Sequence, residues 1–199
     1  MWDERYSEPG FAYGTEPNDF LAANAERYLR PNGEVISLAE GEGRNAVFLA
    51  RRGFRVTAVD GSAVGLEKAR VLAGKHGVDL QTVVADLGVF DPGVERWDGI
   101  VSIWCHLPSA LRERLHRSIV SALRPGGVFL LEAYTPDQLR YKTGGPSAAE
   151  FLMTLAAVRN ELAGLEFLEA GEKLREVHEG KYHDGMSAVL QVVARKPLG

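Results

Sequence analysis

Short runs of β-branched and other apolar residues alternate along this chain with longer stretches in which apolar positions recur every three or four residues. The first pattern suits a buried strand and the second an amphipathic helix. In order, they predict a first strand at Glu34-Val35-Ile36-Ser37-Leu38, opened by the turn Pro31-Asn32-Gly33, and a helix over residues 44–52. Arg51 and Arg52 suit the carboxyl end of that helix dipole, and Gly53 stops it. A second strand, Phe54-Arg55-Val56-Thr57-Ala58-Val59, ends at Asp60, and Ser62 is placed to cap a helix reaching residue 76. A third strand over residues 80–85 ends at Asp86, a fourth covers 97–103 and a polar helix covers 108–123. The turn Arg124-Pro125-Gly126-Gly127 then feeds a fifth strand over residues 128–133. Strands and helices that alternate in this way build βαβ units around a parallel sheet.

Beyond residue 133 the pattern changes. Residues 136–146 read as a loop containing Gly144-Gly145-Pro146, and residues 147–162 have helical spacing. Residues 165–177 and 186–194 read as two strands joined by Gly180-Lys181-Tyr182-His183-Asp184-Gly185. Strands joined by so short a turn run antiparallel. The expected fold class is therefore α/β, a Rossmann-like three-layer sandwich with five parallel strands and a terminal hairpin. At 199 residues the chain suits one domain. Its parts are an N-terminal lid segment and first helix (1–30), a cofactor-binding core (33–133), and an acceptor-site loop, helix and hairpin (134–199).

Open α/β sheets bind ligands beyond the carboxyl ends of their strands, near the point where strand order reverses. Three candidate positions follow predicted strands there. In the first, Gly41 and Gly43 allow a tight turn and close approach of backbone to a ligand, and Gly41-x-Gly43-x-x-Ala46 fits a dinucleotide fingerprint. In the second, the Asp60 carboxylate can accept from both hydroxyls of a ribose. Both features suit NAD(P) as well as S-adenosylmethionine. Glu40 and Glu42, flanking Gly41, separate the two. A pyrophosphate there would meet two carboxylates, and like charges ~4 Å apart repel by several kcal/mol at an intermediate dielectric. S-adenosylmethionine has no phosphate and carries net positive charge, so an acidic loop suits it better. In the third, the Asp86 carboxylate can accept from an adenine amino group, with the backbone N–H of Leu87 beside it.

Val35-Ile36-Ser37-Leu38-Ala39-Glu40-Gly41-Glu42-Gly43-Arg44-Asn45, Val59-Asp60, Ala85-Asp86-Leu87, Trp97-Asp98-Gly99-Ile100-Val101 and Leu123-Arg124-Pro125-Gly126-Gly127 resemble, in order, the successive motifs of class I S-adenosylmethionine-dependent methyltransferases. Within that class the chain is most similar to the small tellurite-resistance and thiopurine methyltransferase-like group. The resemblance implies a seven-stranded sheet in which only the last strand is antiparallel. It also implies that the glycine loop holds the methionine part, Asp60 the ribose and Asp86 the adenine; Glu40, Gly41, Gly43, Arg44, Ser62 and Leu87 are the further candidate cofactor contacts at these three positions. The family usually has an acidic residue where Ser37 stands and a glycine where Ala39 stands. Glu40 is the candidate to replace the missing acid toward the ligand's ammonium.

Methyl transfer from a sulfonium needs mainly positioning and exclusion of water. After the fourth strand, Trp104 is a candidate ring contact to the cation; the alternative is a core side chain. His106 is a candidate general base; the alternative is a residue that starts a helix. Cys105 reads as a packing residue. The aromatic stretch 2–17 reads as a lid, with Tyr6 and Tyr13 as ligand contacts, or else as a surface segment on the sheet edge. The loop 134–146, with Arg140, Tyr141 and Lys142, is expected to shape the acceptor site. His178, Glu179, His183 and Asp184 match no zinc spacing and read as a solvated turn, so no metal is expected.

Composition narrows the class further. A formal charge of −4 argues against a nucleic-acid partner. No apolar run approaches membrane-spanning length, the chain opens without a signal-peptide pattern, and a single cysteine fits a reducing compartment, so a cytoplasmic setting is expected. The expected function is methyl transfer to a small-molecule acceptor, possible examples being a thiol, selenium or tellurium species. An NAD(P)-dependent oxidoreductase and a non-catalytic S-adenosylmethionine-binding module are the alternatives.

Overall fold

A computed structural model describes residues 2–199. Two N-terminal helices, α1 (Trp2–Tyr6) and α2 (Asp19–Tyr28), precede the alternating core. The core runs β1 (Glu34–Leu38), α3 (Arg44–Arg51), β2 (Arg55–Asp60), α4 (Ala63–Lys75), β3 (Gln81–Val84), β4 (Trp97–Ile103), α5 (Ser109–Ala122) and β5 (Leu123–Tyr134). The chain ends with α6 (Leu155–Glu161), β6 (Glu166–Glu179) and β7 (His183–Arg195). The strands form one seven-stranded sheet in the order β3-β2-β1-β4-β5-β7-β6. β7 alone runs antiparallel to its neighbours β5 and β6. This is the sheet implied by the methyltransferase resemblance.

Alternation along the strands sorts the core into two apolar layers. Ile36 and Leu38 face one layer with Leu115, Ile119, Phe129, Leu131 and Val158, which joins α5 and α6 to the sheet. Val35 faces the other, with Leu21, Leu49, Val56, Leu66 and Leu130, which joins α2, α3 and α4. Every residue of β4 is buried, as a central parallel strand covered on both faces requires. β1 pairs with β2 on one side and β4 on the other. Strand order therefore reverses at β1, and a crevice opens beyond its carboxyl end.

Several elements differ from the expectation. β5 begins at Leu123 and takes in the residues predicted as the turn 124–127, and Pro136–Arg140 of the predicted loop forms a 3₁₀ turn. The helix predicted over residues 147–162 is broken into a 3₁₀ turn, Ala149–Phe151, and the shorter α6. Between them the Met153 N–H bonds the Tyr134 carbonyl at 2.9 Å, which holds the chain extended, and Thr154 Oγ1 caps α6 by accepting from Ala157 N. The terminal hairpin is also tighter than predicted. Gly180, at φ +69°, turns the chain at once, so Glu179 pairs directly with His183 in the ladder. Glu179 and His183 are buried rather than solvated.

Candidate active site

The loop after β1 is built by left-handed residues. Ala39, Gly41 and Gly43 have φ of +51°, +62° and +94°. A non-glycine residue at such an angle is uncommon, which accounts physically for the glycine usual at the position of Ala39. Gly43 is the N-cap of α3 and has no side chain with which to cap it. Glu40 does so instead. Its Oε1 accepts from the N–H groups of Asn45 (3.1 Å) and Ala46 (2.8 Å), and its Oε2 accepts from the Ser37 hydroxyl. Burial raises this carboxyl to about 7, with the Ser37 and Ala46 hydrogen bonds opposing. Glu40 thus lies at the cleft with both oxygens engaged by its own loop, not with a carboxylate left free for an ammonium.

Glu42 is buried as well, and it does not face solvent. Its Oε2 accepts from Ala12 N at 2.7 Å and its Oε1 from Lys68 Nζ at 2.8 Å. It answers a lysine and anchors the N-terminal segment. Gly43 faces α4 rather than the cleft: a Cβ there would stand 2.6 Å from the Ala69 Cα. A Cβ on Gly41 would stand 2.6 Å from the Tyr6 hydroxyl, so Tyr6 covers that glycine.

At the end of β2, Asp60 Oδ2 accepts from Gly41 N and Oδ1 from Ser62 N, each at 2.8 Å. Each oxygen keeps a second lone pair for a ligand hydroxyl. Burial raises the Asp60 carboxyl above its ordinary value, and the Ser62 and Gly41 amides oppose the rise. Ser62 itself caps α4, accepting from Gly65 N at 3.0 Å, and its hydroxyl also bonds Asp3. Its part in the site is therefore to shape the backbone around Asp60, a correction to its placement among the direct ligand contacts. Asp86 is exposed at the rim, with Oδ1 accepting from Gly88 N at 2.8 Å, and buried Leu87 lies beside it. Both line the cleft.

The N-terminal segment roofs this crevice. Lys68 Nζ donates to the carbonyls of Glu8 and Gly10, and Lys181 N donates to Ala12 O. Trp2, Arg5, Tyr6, Tyr13 and Gly14 line the cleft from above, with Tyr6 stacked on Trp2 and the Tyr13 hydroxyl held by Arg5 at 2.8 Å. On the far wall Trp104, itself at φ +56°, stacks on Tyr134 at 4.3 Å. Gly144, Gly145, Pro146, Ser147, Ala148 and Phe151 complete that side. The expected cations of this loop are elsewhere: Arg140 pairs with Asp137 at the surface, and neither Tyr141 nor Lys142 lines the cleft. The cleft measures about 1080 Å³.

His106 does not stand ready as a general base. Its Nε2 accepts from Tyr134 N at 3.0 Å, so its Nδ1 carries the proton and donates to the Trp104 carbonyl at 3.0 Å. Both in-plane positions are spent on backbone, and burial lowers its pKa to about 3. Its role is to fix the backbone of Trp104 and Tyr134. Cys105 is buried in the core, and burial pushes its thiol up to about 12.

The sequence reading missed Glu179 and His183. Glu179 Oε2 accepts from Trp104 Nε1 at 2.6 Å and forms an ion pair with Arg44, while its Oε1 accepts from Asn18 at 2.8 Å. Burial would raise this carboxyl, but His183, Arg44 and Trp104 hold it well below the usual range. Arg44 therefore touches the cleft while its charge is directed at Glu179. His178 and Asp184 pair at the surface at 2.6 Å, away from the two buried residues. No group of three or more metal-ligating side chains gathers among the described residues. The signal available was strand alternation across the turn: once Gly180 is taken as the pivot, Glu179 and His183 fall opposite each other.

The strand order and the antiparallel β7 are those of the class I S-adenosylmethionine-dependent methyltransferase fold. A family profile described as a methyltransferase domain matches residues 35–127. The chain is 31% identical over 114 residues to the 2-heptyl-1-hydroxyquinolin-4(1H)-one methyltransferase of Mycobacteroides abscessus, a match covering 53% of this chain and 50% of that protein. The chain spans about half the length of the first curated relatives it matches. Among solved structures it is similar to a methyltransferase from Methanosarcina mazei, with a TM-score of 0.73, 17% identity and coverage of 88% of this chain and 97% of that one. It is also similar to TehB from Haemophilus influenzae, with a TM-score of 0.72, 22% identity and coverage of 87% and 60%. At these identities the two structures speak to the fold. No helix among the described residues is long and apolar enough to cross a membrane.

Proposed function

We propose that residues 1–199 act as one unit that transfers a methyl group from S-adenosylmethionine to a small-molecule acceptor. The observation that carries this reading is the placement of Asp60. It lies at the strand-order switch, in a roofed cleft, with both carboxylate oxygens pinned by backbone and each still able to accept a ligand hydroxyl. In this reading Asp60 holds the ribose, Asp86 and the Leu87 N–H hold the adenine, and the loop 39–43 holds the methionine part. The bound cofactor supplies an electrophilic methyl group. The chain's own task is to orient the acceptor and exclude water, which the roof formed by Tyr6 and Tyr13 is placed to do.

The cleft volume, about 1080 Å³, lies just above the ~300–1,000 Å³ usual for a single small molecule, which favours a cofactor with a small acceptor beside it. A nucleic acid fits poorly with a charge of −4. One similar protein, from M. abscessus, is named for a hydroxyquinolone substrate, a flat ring system bearing a hydroxyl; a thiol, selenium or tellurium species is the acceptor suggested by the motif resemblance. A cytoplasmic setting accords with one buried cysteine.

Calorimetric titration with S-adenosylhomocysteine, NAD and NADP tests the reading. Micromolar binding of S-adenosylhomocysteine that Asp60→Ala abolishes is the expected result. Tight NAD binding with no response to S-adenosylhomocysteine overturns the reading in favour of an oxidoreductase.

A further inference from the structure

His183 is a buried histidine on the cleft wall. Its ring lies in a box of aromatic side chains: Tyr13 at 4.8 Å, Trp104 at 5.2 Å and Tyr134 at 5.4 Å between centroids. The Nδ1 atom is buried without a hydrogen-bond partner among the described residues, 3.9 Å from Glu179 Oε2. The opposite edge of the ring abuts Gly144, where a Cβ would stand 2.7 Å from Cδ2; both residues line the cleft. One ring nitrogen thus faces a carboxylate and the other belongs to the edge beside the cleft. Glu179 Oε2 already accepts from Trp104 and Arg44, so it acts on His183 through its charge, and a negative charge on that side favours the proton on Nδ1 and leaves Nε2 as the acceptor.

We infer that His183 Nε2 is the proton acceptor for the methyl acceptor, that Glu179 is its positioning residue, and that the acceptor is a flat aromatic molecule bearing a hydroxyl or thiol. This rests on the methyltransferase reading above. The flat body is indicated by the cleft lining, which includes Trp2, Tyr6, Tyr13, Trp104, Phe151 and Tyr182. The hydroxyl or thiol is indicated by the lone pair left on a neutral ring. Burial lowers the pKa of His183, Arg44 and Arg5 lower it further, and Glu179 opposes them. Tyr13, Tyr134 and His106 are the other titratable groups around it. In the step, the X–H bond breaks with its electron pair left on X, and that pair forms the bond to the methyl carbon. The S–C pair stays with sulfur, and the proton on Nε2 passes to water.

Two measurements on the protein saturated with S-adenosylhomocysteine test this. In nitrogen-15 correlation spectra near neutral pH, with His183 assigned by the signal lost in His183→Phe, a neutral ring protonated at Nδ1 is expected. A proton on Nε2, or a charged ring, overturns the proposal. In calorimetry, 2-naphthol is expected to bind about tenfold more tightly than 2-methoxynaphthalene, and His183→Phe is expected to remove that preference, as loss of one hydrogen bond would. Equal binding of the two probes by the native protein, absence of naphthol binding, or an unchanged preference in the variant overturns it. Failure of S-adenosylhomocysteine itself to bind would instead refute the underlying methyltransferase reading.

Discussion

Arg44 and Glu179 form a buried ion pair across 135 residues of sequence, with side-chain exposures of 7% and 5%. The pair ties the first turn of the helix that follows the glycine loop to the last residue of β6. Through the second contact of Glu179, to the Trp104 indole, it also fixes the far wall of the cleft.

Breaking this pair from one side leaves an uncompensated charge out of water, which costs about 3–5 kcal/mol. Glu179→Ala is therefore expected to lower the melting temperature by about 10 °C in a thermal unfolding scan. A shift of only a degree or two would mean that water reaches Arg44 once its partner is gone.

Asp60→Ala removes a carboxylate that both shapes the loop and is assigned to the ribose. Hydrogen bonds to charged groups contribute about 1.5–3 kcal/mol each, so loss of the pair is expected to weaken S-adenosylhomocysteine binding by at least about a hundredfold. Asp86→Ala, at an exposed rim position, is expected to cost roughly tenfold, because screening by water weakens its contribution. Calorimetry on both variants gives the ranking; a larger loss for Asp86 would reverse the assignment.

Histidine 106 makes an acid-stability prediction. Its ring is neutral in the folded protein, with a pKa lowered to about 3 by burial, against an ordinary value of 6.5. The unfolded chain binds the proton first, so the stabilisation is complete above pH 6.5 and is lost as pH falls from 6.5 toward 3. His106→Asn is expected to be less stable near neutral pH by about 1–3 kcal/mol, through its lost backbone bonds, and to show a flatter acid limb in melting temperature against pH. Identical acid limbs in the two proteins would refute the assignment of the buried neutral ring.

Two glycines separate conformational need from mere presence. Gly43 has φ +94°, and a Cβ there would meet the backbone of Ala69 at 2.6 Å. Gly43→Ala is expected to cost more than about 2 kcal/mol, from left-handed strain plus displacement of α4. Gly74 lies inside α4 with open space around its Cα, so Gly74→Ala is expected to stabilise by about 0.5–1 kcal/mol. Chemical denaturation of the two variants should move the midpoint in opposite directions.

The parallel core was legible because each strand carries its own evidence. A run such as Val35-Ile36-Ser37-Leu38 is apolar enough to be buried on both faces, and Asp60 and Asp86 end their strands wherever the rest of the chain goes. The acidic loop was legible as a pattern, but the destinations of its charges were not: Glu40 turns inward to cap α3, and Glu42 turns to Lys68. His106 looked like a base because its unperturbed pKa suits one, and only the backbone contacts at Trp104 and Tyr134 show that its nitrogens are spent. Glu179 and His183 looked like turn residues because the pivot was placed across six residues instead of at Gly180.

By itself the sequence determined the order of the core strands and helices, the crevice beyond β1 and the carboxylates that line it, because these depend on local periodicity and on residues next to strand ends. Only the tertiary structure decided which polar side chains are free and which are spent. A hydrogen bond or ion pair between residues 28, 75 or 135 positions apart leaves no trace in local pattern. The same long-range packing that satisfies His106 leaves His183 Nδ1 without a hydrogen-bond partner among the described residues.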